Sequence, residues 1–346
     1  MRIPTSLALA SLVLAATRSF AQPPPAPPPP PCPPADAGYV CTGAQQGPED
    51  LVALPGDAWV IASSMSGDGG IAVIRASDRA VTKGYPSAGA KVALDTKHYA
   101  GCPGPPNPGK FTTHGLYLYP GGGPVERLLV VGHGERESIE VFNVDIRGPT
   151  PAFIWIGCAI APEPIGLNSV RGLSDGGFIT TNFLARGASP DARQKMSAGE
   201  TNGELWEWHP GGKWQKIPGS QAAGANGVEL SHDGKTLYMA AWGSQSFVRL
   251  SHGEKKVQRD EVPLGFRVDN IHWAEDGSLL AVGQGTGTNA QRWQAVKIDP
   301  KTLTVSEVMN RADVPGFAAG TVAAEVGKNW WIGSFRGDRI AIVPAP

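Results

Sequence analysis

The sequence predicts an all-β protein, a six-bladed β-propeller, on three observations. The 346 residues include 45 Gly and 32 Pro, a content of turn-formers that a helical bundle does not tolerate, since both are costly inside helices. Strand–turn–strand units recur along the chain, and most of their turns place Gly beside an acidic, Asn, Lys or Ser residue, which is the chemistry of tight β-turns. A polar residue stands just before each unit. These are Asp50, His114, Asn168, Asn226, Asn270 and Thr321, spaced 64, 54, 58, 44 and 51 residues apart. Six units at roughly blade length, with insertions, indicate a propeller. Equivalent starts of the innermost strands then converge on one axis.

The elements follow in order. Residues 1–21 read as a cleavable signal peptide: Arg2, a short apolar stretch from Leu7 to Ala16, and Ser19-Phe20-Ala21 as a small-x-small cleavage site. The apolar stretch is too short to span a membrane, and no later segment reaches that length. Residues 22–38 are dominated by Pro and read as an extended spacer. The propeller is assigned to residues 39–346. Its units are LVALPGDAWVIAS at 51–63, GLYLYPGGGPVERLLVVGHG at 115–134, SVRGLSDGGFITTN at 169–182, GVELSHDGKTLYMAAWGSQSFVRLS at 227–251, IHWAEDGSLLAVGQG at 271–285 and VAAEVGKNWWIGSFRGDRIAIVP at 322–344. Several alternate apolar and polar residues, the period of a strand. Residues 183–205 form a polar, Gly-rich insertion in which ARQKM suits one or two helical turns.

The formal net charge is −1, which excludes an obvious nucleic-acid or anionic-membrane surface and leaves a small molecule as the expected partner. The signal peptide implies a secreted or periplasmic protein, where disulfides persist. The four cysteines, Cys32, Cys41, Cys102 and Cys158, allow three pairings. No C-x-x-C pair points to zinc or thioredoxin chemistry, and no G-x-S-x-G elbow points to a serine hydrolase.

Several short motifs, taken in order, resemble the paraoxonase/arylesterase family of calcium-dependent propellers and, more loosely, the gluconolactonase-like propellers. They are GPEDLVALP at 47–55, HGLYL at 114–118, LLVVGH at 128–133, LNSV at 167–170, ANGVELSHDGKTLYMA at 225–240, VDNI at 268–271 and GTVA at 320–323. The resemblance implies a calcium ion at the pocket floor, held by Glu49, Asn168, Asn226, Asp269 and Asn270. Carboxylates and amide oxygens are the donors that calcium prefers. It also implies a second, structural calcium at Asp50 and the carbonyl of Leu116. There the family's acidic third ligand is Ser169, which leaves that site weak, rebuilt with water, or absent. His114 and His133 match a catalytic dyad, with His114 as base toward water and His133 as its partner. His98, His209, His232, His252 and His272 read as surface residues. Met65, Phe183, Trp242 and Thr321 are candidates for the pocket wall, with residues 183–205 as a lid.

The resemblance implies a calcium-dependent hydrolase of lactones or aryl esters. A sugar-lactone hydrolase of the gluconolactonase type and a non-catalytic ligand-binding propeller with structural calcium are the competing readings. The family's link from its N-terminal Cys to the last blade has no partner here, since no Cys follows Cys158. Cys102 and Cys158 precede the starts of two adjacent blades, at His114 and Asn168, so the expected pairs are Cys102–Cys158 and Cys32–Cys41.

Overall fold

The structure, a computed structural model, describes residues 31–33 and 38–346. The signal-peptide assignment over 1–21 and most of the spacer over 22–38 lie outside those residues. Each repeat becomes one antiparallel sheet running outward from a common axis. The innermost strands of the six blades are Leu51–Ala53, Thr112–Leu118, Leu167–Gly172, Ala225–Leu230, Arg267–Trp273 and Phe317–Val326. Each packs against the inner strands of its neighbours, and the ring closes between the sixth blade and the first. The six-bladed propeller is borne out.

Closure uses a strand that the repeat pattern does not announce. The sixth blade takes only three strands from the C-terminal end of the chain. Its fourth is Tyr39–Cys41, which pairs Val40 with Ile340 and Cys41 with Arg339. The two chain ends are thereby hydrogen-bonded into one sheet, and a closed ring leaves fewer sheet edges exposed. The bond Cys32–Cys41 fastens the segment that leads into this strand. Cys102–Cys158 is the other disulfide. Both expected pairs are present, but Cys158 lies within Ala152–Ile160, the fourth strand of the second blade, rather than in a connection to the third. The bridge therefore ties that strand to the long loop before the blade's own first strand.

The core lies between blades. Phe142 and Phe153 pack near Tyr85, and Trp155, Phe178 and Trp208 are buried in the same cluster. Inner blade strands are covered on both faces, so Leu128–Val131 and Ile71–Ile74 are continuous buried apolar runs rather than alternating ones. Glycine is required where inner strands approach most closely. A Cβ on Gly115 would lie 2.6 Å from the carbonyl oxygen of Asn168, and one on Gly227 would lie 2.6 Å from that of Asp269.

A polar cluster joins the third and fourth blades. Glu207 accepts from His252 Nε2 at 3.2 Å and from His209 Nε2 at 2.9 Å, while His252 Nδ1 donates to the carbonyl of Gly234. His252 thus has an acceptor at each ring nitrogen, the arrangement of an imidazolium. Its hydrogen bond to Glu207 raises its pKa above 6.5, and the same bond lowers that of Glu207 below 4.5. The raised histidine stabilises the fold below its unfolded pKa, and this contribution is lost as pH rises through the folded value. The lowered carboxylate contributes above its unfolded pKa and loses this as pH falls through the folded value. His252→Gln is therefore expected to lower Tm most near pH 5–6, by roughly 2 °C for a pair worth about 1 kcal/mol. Thermal scans from pH 5 to 10 should show the difference shrinking on the alkaline side; a difference independent of pH would contradict the ion pair.

Candidate functional site: a bulged ring at the propeller axis

Five of the six inner strands carry a β-bulge at the same place. The register steps from Leu116 to Thr113, Leu167 to Val170, Ala225 to Val228, Val268 to Ile271 and Gly320 to Ala323 each contain one residue more than the facing strand. A bulge re-aims side chains and interrupts the ladder. Its two central residues are His114-Gly115, Asn168-Ser169, Asn226-Gly227, Asp269-Asn270 and Thr321-Val322. Glu49-Asp50 precede the first strand in the corresponding place. The phase read from the sequence is therefore shifted by one residue in two units: Glu49 and Asp269, not Asp50 and Asn270, match His114, Asn168 and Asn226.

That phase decides what faces the ligand space. Glu49, His114, Asn168, Asn226 and Asp269 line one cavity of about 710 Å³, together with Met65, Phe183 and Trp242. Thr321 does not line it. Its hydroxyl donates to the carbonyl of Glu49 at 2.6 Å and fixes that residue's backbone. A concavity of similar volume lies beside Tyr238 and Arg249 near the outer strands of the fourth blade, but none of its residues has a buried side-chain polar atom without a partner. Five of the nine such atoms among the described residues belong to the axial site: Glu49 Oε2, Asn168 Oδ1, Asn226 Oδ1, Asn270 Oδ1 and Arg267 Nε.

Four of those five are oxygens on proposed calcium ligands. Asn168 turns its Nδ2 toward His114 Nε2 at 3.3 Å, and Asn270 donates its Nδ2 to Glu49 Oε1 at 2.6 Å, so both amide oxygens are left over. Asp269 Oδ2 accepts from Gln284 Nε2 at 2.6 Å. Buried acceptors without donors are costly, and a hard cation satisfies several at once. The carboxyls give the same message. Burial, then the neighbouring Asp50, pushes Glu49 up to about 8, and burial with Glu49 raises Asp269 well above its ordinary value. Among the described residues no group of three or more His, Cys, Asp and Glu could hold a metal. The donors here are two carboxylates and three amides, a mixture that suits calcium rather than zinc. The residues fit one calcium ion.

They do not fit a second. Asp50 Oδ2 accepts the backbone N–H of Leu116 at 2.7 Å, and Oδ1 accepts from the N–H of Leu51 and from His272 Nε2, both at 2.9 Å. Leu116 thus meets Asp50 through its N–H. Ser169 is tied through its backbone to the hydroxyls of Thr180 and Thr181. His272 is not the surface residue that its turn-like context suggests. It lies on the fifth inner strand between Asp50 and Glu229, and Glu229 pairs with Arg171 at 2.6 Å. Burial alone would lower His272, but Asp50 and Glu229 raise it to about 10. An imidazolium therefore supplies the positive charge beside Asp50.

The two predicted histidines meet. His114 Nδ1 is 3.1 Å from His133 Nε2, and His133 Nδ1 is 2.8 Å from Glu137 Oε2. Glu137 also accepts the N–H of Leu167 at 3.1 Å. The proton assignment consistent with these contacts has His133 donating to Glu137 and His114 donating to His133. His114 Nε2 is then the acceptor nitrogen; it faces Asn168 Nδ2 at 3.3 Å and lies 3.5 Å from Glu49 Oε2 at the cavity floor. Burial lowers the pKa of His114 below 6.5, keeping it neutral and able to accept a proton at neutral pH. Glu137 escaped the sequence reading. The available signal was His133-x-x-x-Glu137 across the hairpin turn into Ser138–Asp145.

The helical turns expected within residues 183–205 are present. Residues 183–205 contain a helix, Pro190–Ser197, capped by the Ser189 side chain, which accepts from the N–H of Ala192. Its buried Met196 lies so close to Gly224 and Gly243 that a Cβ on either would collide with it. Phe183 meets the Trp242 ring edge-on at 5.8 Å. Met65, Met196, Trp242 and Phe335 add apolar surface to a wall that also carries Arg193, Arg267 and Arg336.

The chain matches no protein-family model and no curated protein. Among solved structures it is similar to a luciferin-regenerating enzyme at 14% identity, over 89% of this chain and 93% of that chain, with a TM-score of 0.55. It is similar to a gluconolactonase from Xanthomonas campestris at 16% identity, over 93% and 96% of the two chains, with a TM-score of 0.55. Virginiamycin B lyase from Staphylococcus aureus matches at 14% identity, over 89% and 98%, with a TM-score of 0.51. The structural neighbours are thus gluconolactonase-like propellers, and at these identities the likeness establishes the fold alone. Among the described residues no helix is long and apolar enough to cross a membrane.

Proposed function

We propose that the protein is a calcium-dependent hydrolase of carboxylic esters, with lactones as the favoured class and aryl esters as the second. The observation that carries this reading is the His114–His133–Glu137 relay ending beside a cradle of four unpartnered oxygens. A binding module has no use for a base held neutral and supported by two further groups. Glu49, Asn168, Asn226, Asp269 and Asn270 would hold the ion, which when bound supplies a positive charge to polarise a carbonyl and offset the oxyanion. His114 Nε2 takes the proton of the attacking water. His133 holds the His114 ring in the reactive orientation, and Glu137 holds His133. The apolar bodies of Met65, Phe183, Met196 and Trp242 exclude bulk water and favour a substrate with an apolar body over a polyhydroxylated sugar ring. The resemblance to paraoxonases and the gluconolactonase neighbour support the reaction class. Two disulfides and the leader-like N-terminus support export.

The test is turnover of a panel of lactones, aryl esters and phosphotriesters, with calcium and after exhaustive chelation. Lactone hydrolysis that disappears on chelation and returns with calcium is expected. Full activity after chelation would overturn the calcium dependence. Calcium binding without turnover of any ester would replace the enzyme by a ligand-binding propeller.

A further inference from the structure

The cavity that holds the base and the cradle also contains three arginines, Arg193, Arg267 and Arg336. They come from separate parts of the fold: the helix Pro190–Ser197, the start of the fifth inner strand, and the second strand of the sixth blade, Asn329–Gly337. Several arginines elsewhere hold carboxylates, as Arg136 does Glu140, Arg171 Glu229, Arg249 Asp260 and Arg259 Glu261. No guanidinium of these three has an ion pair or hydrogen bond to a carboxylate among the described residues.

Arg267 is the most constrained. Its guanidinium lies 4.1 Å from the centre of the Trp242 ring, and its Nε is buried without a partner. The ring does not rotate freely beneath it. Trp242 Nε1 donates to Gln284 Oε1 at 2.8 Å, and Gln284 Nε2 donates to Asp269 Oδ2 and to the carbonyl of Gly320. Arg267 is thus connected through a stacked indole and one amide to a carboxylate at the cavity floor. It stands two residues before Asp269 on the same strand, about 7 Å up the wall at the usual strand rise. Arg336 leans over Phe335 at 5.0 Å. Among the described residues the cavity lining carries one acidic residue besides Glu49 and Asp269: Asp313, which accepts the N–H of Ala319 at 3.0 Å. With a divalent cation on Glu49 and Asp269 the lining carries an excess of positive charge. A neutral lactone leaves that charge, and the partnerless Nε of Arg267, without a complement.

We propose that the substrate is anionic: a lactone or ester carrying a carboxylate or phosphate, gripped by Arg193, Arg267 and Arg336 on the wall while its carbonyl lies at the floor. This rests on the hydrolase reading and narrows it. Guanidinium is the group suited to planar oxyanions, because its N–H fork matches their geometry. Charged groups in a partly enclosed cleft also attract oppositely charged ligands, with a strong dependence on salt.

The test uses the full chain with calcium and two matched pairs. The substrates are 5-oxotetrahydrofuran-2-carboxylate and its carboxamide. The inert probes are tetrahydrofuran-2-carboxylate and its carboxamide, followed by calorimetry. Preference for the carboxylate substrate of about tenfold or more in kcat/KM is expected at low salt, falling as NaCl rises. The ratio should move toward one in Arg267→Gln and Arg336→Gln, with partial retention in Arg267→Lys. Inorganic phosphate displacing the inert carboxylate more strongly than acetate does would assign a phosphate rather than a carboxylate. Equal hydrolysis and equal binding of acid and amide would overturn the anionic substrate and leave the hydrolase intact. Selective, salt-sensitive binding of the inert acid with no hydrolysis of either lactone would uphold the anion site and remove the hydrolase. A ratio unchanged in Arg193→Gln, Arg267→Gln and Arg336→Gln alike would overturn the assignment of these residues.

Discussion

Asp269→Ala is expected to abolish hydrolysis and to remove the thermal response to calcium. Asp269 is buried at the first bulge position, accepts from Gln284 and shares the cavity floor with Glu49. Polarising a carbonyl with a cation is worth several kcal/mol, and each 1.36 kcal/mol is tenfold in rate, so a loss of about 10³-fold or more follows. Stability separates this from simple misfolding. An ion that binds only the folded state adds about 2.7 kcal/mol at one hundred times its Kd. Wild-type Tm should therefore rise by several degrees with calcium, and the variant's should not. Without calcium the comparison changes sign: removing one of two adjacent buried carboxyls relieves repulsion, so the metal-free variant should melt at or above metal-free wild type. Asp269→Asn should behave alike, with less disturbance of packing. A calcium-induced rise in Tm that survives in both variants would show that the ion is held elsewhere.

Much of the architecture was legible because blade repeats are local. Each unit carries its own turn chemistry, and six polar residues at nearly regular spacing marked the axis. What the spacing did not resolve was the bulge. Two units open on adjacent polar pairs, Glu49-Asp50 and Asp269-Asn270, and spacing alone took the second of each where the first faces the cavity. The bulge is a property of pairing between strands, and neither strand alone shows it. The same holds for closure, where Tyr39–Cys41 supplies a strand from some 300 residues away in the chain. The supporting groups were hidden for a related reason. Gln284 ends the second strand of its blade and Glu137 stands in the turn just before a third strand, where nothing in their immediate sequence separates them from solvent-facing polar residues. His272 was misjudged because Ile271-His272-Trp273 precedes an ordinary turn, whereas Asp50 and Glu229 come to it from two other blades.

His114→Gln and His133→Gln are expected to lower lactone kcat/KM by about 10²–10⁴-fold, the range for loss of a general base. The contacts give an order to these losses. His114 alone reaches the cavity, so its replacement removes the base itself. His133 acts through its 3.1 Å contact to His114, and Glu137 acts through its 2.8 Å contact to His133. Glu137→Gln should therefore cost least, since the amide oxygen still accepts from His133 Nδ1–H and only the charge is lost. The double variant of both histidines should be little worse than His114→Gln, because groups that act as a unit are not additive. Calcium should still raise Tm in each histidine variant, since neither ring is among the proposed ligands, and this separates loss of the base from loss of the ion. Strict additivity in the double variant would mean that the histidines act separately. Near-wild-type hydrolysis in both single variants would make the pair structural and move the base to Glu49, whose burial already places its pKa near 8 in the absence of a cation.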